Sequence, residues 1–271
     1  MRALSLPGCA CRASFQIAVL ARLAAAGERF DLVAGASSGS ICGAIMVAGL
    51  TERGPDLARE MAGAPIVSTR YLAGERSIFG LGRILRDALR RNLPERSICD
   101  ADAELLVATT HAGHYARRFI PAHVFRLGGA EEARHDPLVV HSSRERRDIH
   151  DVLVASCYIP VVHAGVMRLD GALHLDGALA DNTLIDALIA RGATDITVVT
   201  PFAHGAVART MFSTESPLHA RPGVRLRVLY PERQLSIGRF DLDRGRIEEA
   251  LAMPHRELVM EDPIAARPTT A

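Results

Sequence analysis

The stretch Gly35-Ala36-Ser37-Ser38-Gly39 sits between an apolar run, FDLVA at residues 30–34, and a helix-like run, SICGAIMVAG at residues 40–49. A serine with glycine two positions away on either side suits a sharp turn from a strand into a helix, where larger flanking side chains would collide. Such a turn lifts the hydroxyl clear of the sheet edge. It also sets it at a helix N-terminus, where free N–H groups and the dipole favour developing negative charge. Centring the pattern on Ser37 places Gly35 and Gly39 at the flanks, whereas centring on Ser38 places Ala36 and Ser40 there. Ser37 is therefore the candidate nucleophile. Taken alone, the pattern is met equally by a glycine-rich turn whose serines cap a helix.

The residues before the elbow repeat its logic. Residues 3–6 form an apolar run stopped by Pro7-Gly8. Ser14 offers an N-cap to FQIAVLARLAAAG, in which Phe15, Val19, Leu20 and Leu23 recur at helical spacing until Gly27. Strand, helix, strand, helix predicts a parallel sheet with crossover helices, and both strand-to-helix turns then lie at its carboxyl edge. The first turn is Gly8-Cys9-Ala10-Cys11-Arg12-Ala13. A small-residue loop beside a nucleophile can aim backbone N–H groups at an oxyanion. Arg12 is open to three readings: a solvated side chain, a brace for that loop, or a contact for an anionic substrate group.

Further along, residues 51–95 read as helical, and residues 104–145 alternate short β-like runs (ELLVATT, RRFIP, HVFRL, LVVHS) with polar loops. A helix beginning near Arg147 ends at Ile159-Pro160, where proline disfavours helix in the residue before it. GVMRLDGALHLDGAL reads as a hairpin-like β segment with two Asp-Gly turns, and TLIDALIARG as a helix closed by Gly192. DITVVTP and VRLRVLYP follow as strands, then a helix near residues 244–252. No linker divides the chain, so the expectation is one domain over residues 1–260 and a tail over 261–271.

Composition narrows the function classes. A net charge of +1 gives no general pull toward nucleic acid or an anionic surface. The five cysteines are an odd number without CxxC or Cys/His zinc spacing, which points to a reducing compartment. No signal-peptide pattern and no apolar stretch of about 18 residues is read, so a cytoplasmic location is expected. His111 and His114 are the nearest approach to a metal pair, but Gly113 disfavours a regular helix there and no acidic partner is suitably spaced. Neither metal nor cofactor is expected, and no EF-hand-like calcium loop is seen.

A serine needs a base. The histidines lack a recognisable triad context, and Asp176 is the better candidate: Asp176-Gly177 follows a β-like run and precedes a helix signal, so it can reach a sheet edge. The competing reading is a plain hairpin turn, as at Asp170-Gly171.

These pieces in this order resemble the patatin-like phospholipase family, whose pattern is a GGGxRG loop, then GxSxG, then DGG or DGA far downstream. Here they are Gly8 to Ala13, Gly35 to Gly39, and Asp176-Gly177-Ala178. Ala155-Ser156-Cys157-Tyr158-Ile159-Pro160 and Ala180-Asp181-Asn182-Thr183 resemble segments flanking the family's Asp, and the resemblance covers residues 3–200. It implies a three-layer α/β/α fold with a central, mostly parallel sheet. It also implies a Ser37–Asp176 dyad without histidine: Ser37 attacks an ester carbonyl, Asp176 takes its proton and later activates water, and an acyl-enzyme forms and is hydrolysed. The N–H groups of Cys9 and Ala10 would hold the oxyanion, with Arg12 supporting the loop and Gly8, Gly35, Gly39 and Gly177 allowing the close approaches. A lipid or lipid-like ester is the implied substrate, with peripheral membrane contact as a possible partner. The loop departs from the family at Cys9, Ala10 and Ala13, where glycine is usual. A changed loop conformation would cost about 3–4 kcal/mol of transition-state stabilisation per donor lost.

Two rivals stand beside this reading. An α/β-hydrolase triad also uses GxSxG, with His204, His219 or His255 as the late histidine, but its elbow normally follows several strands rather than one. The other is a catalytically weak or inactive relative that binds lipid or a partner, with the altered loop as its mark. FGLGRILRDALRRN carries an apolar stripe, Leu81, Ile84, Leu85, Ala88 and Leu89, which suits either a helix packed on the core or a lid that meets lipid.

Overall fold

The computed structural model describes residues 1–65, 67–72, 78–113, 136–160, 163 and 167–261. The strands are β1 (Arg2–Leu6), β2 (Leu32–Ala36), β3 (Glu104–His111), β4 (Leu138–Ser142), β5 (Met167–Leu169), β6 (Ala172–Asp176), β7 (Asp195–Val199), β8 (Ala206–Ala208), β9 (Glu215–Pro217), β10 (Arg225–Pro231) and β11 (His255–Glu261). One sheet runs in the order β11-β10-β7-β1-β2-β3-β6-β5, with β4 also paired to β3. Its middle, from β10 through β7, β1 and β2 to β3, is parallel. The margins are antiparallel: β11 on β10, and β4, β6 and β5 beyond β3.

Alternation along each strand divides the core into two layers. Leu4, Leu6, Val33, Leu105 and Val107 face one side, in one apolar cluster with Phe15, Val19, Leu153 and Ile247. Ala3, Leu32, Ala34, Leu106 and Ala108 face the other, with Ile185 and Leu188. On the first face lie α1 (Ala13–Ala25), α2 (Ser38–Val47), α3 (Gly54–Met61), α4 (Leu81–Asn92), α5 (Glu95–Cys99), α6 (Ile149–Ser156) and α8 (Arg244–Ala252). The second is covered by α7 (Ile185–Ala190) and neighbouring loops. The result is the expected α/β/α arrangement around a mostly parallel sheet.

Local expectations shift in a few places. Ser14 does not cap α1: a 3-10 turn at Ala10–Arg12 feeds directly into the helix, and the Ser14 hydroxyl instead donates to the Cys11 carbonyl at 3.1 Å. The second strand begins at Leu32 rather than Phe30, because Asp31 is occupied in joining β1 and β3: its carboxylate accepts the Arg2 N–H and its carbonyl the Glu104 N–H. The helix expected near Arg147 begins at Ile149, since Arg146 is held in the preceding loop by Asp148 and Asp170. The two Asp-Gly pairs part company. Asp170 and Gly171 both have positive φ, at 51° and 83°, and make the β5–β6 turn, whereas Asp176 is the last residue of β6. β11 carries little sequence signal, because HRELVME is an edge strand with charged residues at both ends and only Leu258, Val259 and Met260 between them. RRFIP, HVFRL, His114 and the tail beyond residue 261 lie outside the described residues.

Candidate active site

β1 and β2 are adjacent and parallel, so the turns that follow them emerge side by side, as their order predicts. The second turn is as tight as the sequence requires. A Cβ on Gly39 would lie 1.9 Å from the Leu6 carbonyl oxygen, and one on Gly35 would lie 2.6 Å from the Gly39 backbone. Both glycines are thus required by close approach and not by their φ values. Positive φ falls on Ser37 itself, at φ 52° and ψ −132°, a conformation costly for a residue with a Cβ. Ser156, at the end of α6, holds that conformation by accepting the Ser37 backbone N–H at 2.8 Å.

The Ser37 hydroxyl donates to Asp176 Oδ2 at 2.7 Å. These two side chains come from residues 139 positions apart, brought together because β6 pairs with β3, and β3 with β2. Asp176 is pinned through every polar atom. Its other carboxylate oxygen accepts the Ala178 N–H at 2.9 Å, its own N–H donates to the Tyr158 carbonyl, and its carbonyl accepts the Thr110 hydroxyl. Gly177 lets β6 end flat against β3, since a Cβ there would sit 2.1 Å from the Ala108 carbonyl oxygen. Asp176 is fully buried, and desolvation raises its carboxyl from 3.8 to about 7, against the lowering by the Ser37 and Ala178 hydrogen bonds. A carboxylate with a pKa near 7 is a far stronger base than one in water, which suits it to accept a serine proton.

The first turn packs over this pair. Gly8 fits where a Cβ would lie 2.7 Å from Ser37 Cβ. Asn182 clamps it, accepting the Gly8 N–H at 2.7 Å and donating to the Gly8 and Ala208 carbonyls. Of the two expected oxyanion donors, Cys9 already gives its N–H to the Ser38 hydroxyl at 3.0 Å, and Ala10 has no partner for its N–H among the described residues. Ala10 adopts φ 53°, so the loop takes a left-handed conformation without the family's glycine. Arg12 braces the loop: its Nε donates to the Ile237 carbonyl at 3.2 Å, and its guanidinium lies 5.4 Å from the centroid of the Phe202 ring. The Cys9 thiol is buried and pushed up to about 12, chiefly by desolvation, so it is not a reactive group in the site.

Ser37 opens onto two cavities. The larger, about 370 Å³, is walled by Ile41, Ile45 and Met61 together with Leu81, Ile84, Leu85, Ala88 and Leu89. The apolar stripe of α4 is therefore the wall of this chamber. The smaller, about 220 Å³, lies beyond the first turn and includes Arg12, Asn182, Phe202 and Arg239 in its lining. The anchoring roles of Ser156, Asn182 and Thr110 were not read from the sequence. They act through backbone groups, and hydroxyls and amides at those positions look like any turn residue. His111 belongs to a buried group with His141 and His174 around Thr109. Among the described residues no cluster of three or more His, Cys, Asp or Glu side chains could hold a metal ion, and no helix is long and apolar enough to cross a membrane.

Fold and site define a class: α/β proteins that present a serine hydroxyl and a buried carboxylate together at the carboxyl edge of a mostly parallel sheet. A family model described as patatin-like phospholipase matches residues 4–189, more than half of the chain, and the chain belongs to that family. VipD from Legionella pneumophila is similar in structure, with a TM-score of 0.37 and 14% identity over 74% of this chain and 50% of the other. The chain thus corresponds to about half the length of that protein. No curated protein is significantly similar in sequence.

Proposed function

We propose that the protein is a serine esterase that cleaves lipid acyl esters through Ser37 and Asp176. The observation that carries this reading is the 2.7 Å hydrogen bond from the Ser37 hydroxyl to the fully buried Asp176 carboxylate. Ser37 Oγ attacks the ester carbonyl carbon and passes its proton to Asp176. The tetrahedral oxyanion develops beside the Ala10 N–H. As it collapses, the alcohol leaves with that proton and the acyl group stays on Ser37. Asp176 then deprotonates a water that attacks the acyl-enzyme, and Ser37 is regenerated. The 370 Å³ apolar chamber suits the acyl chain, and the 220 Å³ cavity the departing alcohol.

The test is hydrolysis of p-nitrophenyl esters of graded chain length. Ser37→Ala and Asp176→Asn should each lower kcat by roughly a thousandfold or more while both proteins remain folded. Wild-type rates in either variant would remove the dyad. One observation favours the non-catalytic alternative: the Cys9 N–H is already engaged by Ser38. A fluorophosphonate that labels the wild type but not Ser37→Ala supports the esterase, and failure to label folded wild type supports the binder.

A further inference from the structure

The two cavities that meet at Ser37 differ in charge. The larger includes Glu60 and Asp87 as well as Arg91 and Arg239 in its lining. The lining of the smaller has two guanidinium groups, Arg12 and Arg239, and no carboxylate. Among the described residues neither arginine forms an ion pair. Arg12 is spent on a backbone carbonyl and an aromatic face, and Arg239 has one long hydrogen bond of 3.3 Å to the Met211 carbonyl. The nearby carboxylate of Asp241 is already taken by Arg246 and the Gly238 N–H.

The backbone that carries Arg239 is also fixed. Its carbonyl accepts the Cys11 N–H at 3.0 Å, and the Ile237 carbonyl accepts Arg12 Nε, so residues 237–239 are laced to the oxyanion loop at two points. Burial raises the Cys9 thiol, and both positive charges oppose that rise, which places their field at the base of that loop. The segment lies outside residues 4–189, the part matched by the family. Beside it Phe212 and Phe240 are 83% and 53% exposed, so the rim of the smaller cavity is cationic and aromatic together.

We propose that Arg239, with Arg12, makes the smaller cavity an anion-selecting subsite, so that the enzyme prefers esters whose alcohol portion carries a net negative charge over zwitterionic or neutral ones. This rests on the esterase reading above for its catalytic consequence. The recognised group is an organic phosphate or carboxylate, to which a guanidinium supplies both charge and paired donors. Because Arg239 is exposed, the selectivity is modest and weakens as salt is raised.

The experiment compares monomeric dibutyryl-glycerophosphoglycerol, with one net negative charge, against dibutyryl-glycerophosphocholine, with none, so that adsorption to a lipid surface plays no part. The ratio of their kcat/KM values should favour the anionic ester in wild type. It should fall roughly three- to tenfold in Arg239→Gln and be largely kept in Arg239→Lys. A wild-type ratio near one, or a ratio unchanged in Arg239→Gln, overturns the proposal. Calorimetric binding of the same two lipids to Ser37→Ala reads the subsite without turnover. If the wild type hydrolyses neither lipid but this variant binds the anionic one more tightly through Arg239, the subsite stands and the esterase reading falls. Competitive inhibition by inorganic phosphate would show that the site accepts a free anion, and its absence with the ratio intact would assign it to an alcohol-linked headgroup.

Discussion

At the scale of single residues, the site depends on strain that is held from outside. Ser37 has φ 52° and ψ −132°, and its backbone N–H is fixed by Ser156. Such a conformation costs about 1–3 kcal/mol with a Cβ present, while glycine at the same place forfeits roughly 0.4–1 kcal/mol through the freer unfolded chain. Ser37→Gly should therefore be more stable than Ser37→Ala by about 1 kcal/mol in denaturant unfolding. Both variants lack the hydroxyl, so the difference isolates the Cβ; a less stable Gly variant would refute the assignment of strain. Legibility at this scale was uneven. Gly35-x-Ser37-x-Gly39 announced itself because steric exclusion leaves a fixed spacing in the chain. Asp176 was distinguishable from Asp170 only by the company of the other segments, since a dipeptide does not say whether its strand turns back or stops against a neighbour. Nor could the sequence reveal that Ala10 would take a left-handed φ, because the constraint comes from Asn182, Arg239 and Ser38 gripping the loop around it.

At the scale of elements, α4 is where pattern and role converge. Its apolar stripe was visible, but an amphipathic helix buries its face against whatever the fold supplies, and here the facing volume is partly empty. Leu85 and Leu89 are buried, while Ile84 and Ala88 are half-buried along the chamber wall. Ala88→Phe fills part of that volume without touching Ser37 or Asp176. The expected outcome is a shift in chain-length preference: kcat/KM for decanoate esters falls about tenfold or more relative to butyrate esters, one lost or crowded methylene being worth about 1–3 kcal/mol in an apolar site. An unchanged profile would remove α4 from the acyl-binding wall. The parallel half of the sheet was legible for a related reason, since βαβ alternation leaves continuous apolar runs. The antiparallel margin was less so, because short strands such as Met167–Leu169 and charged ones such as His255–Glu261 carry little periodic signal.

At the scale of the whole molecule, burying Asp176 links catalysis to stability with opposite signs. Its folded pKa of about 7 exceeds its ordinary 3.8, so between these values the folded state binds more protons than the unfolded one. That contribution destabilises the fold progressively as pH rises from about 4 to about 7, by up to about 4 kcal/mol. As the proposed base, Asp176 works only when ionised, so kcat/KM should rise over the upper part of the same range, with a midpoint near pH 7. His141 and His163 pull stability the other way. Desolvation lowers each from 6.5 to about 4, so the unfolded chain binds more protons in that window and stability rises with pH until about 6.5. The wild-type stability curve is therefore a sum of opposing slopes, and only a difference isolates the carboxylate. Asp176→Asn keeps an acceptor for Ala178 or Ser37 but cannot ionise. Its unfolding free energy relative to wild type should climb between pH 4 and pH 7 and level off above, while its activity stays near background throughout. A difference that is flat with pH would mean that Asp176 titrates normally in the folded protein, and the case for it as the base would lose its physical cause.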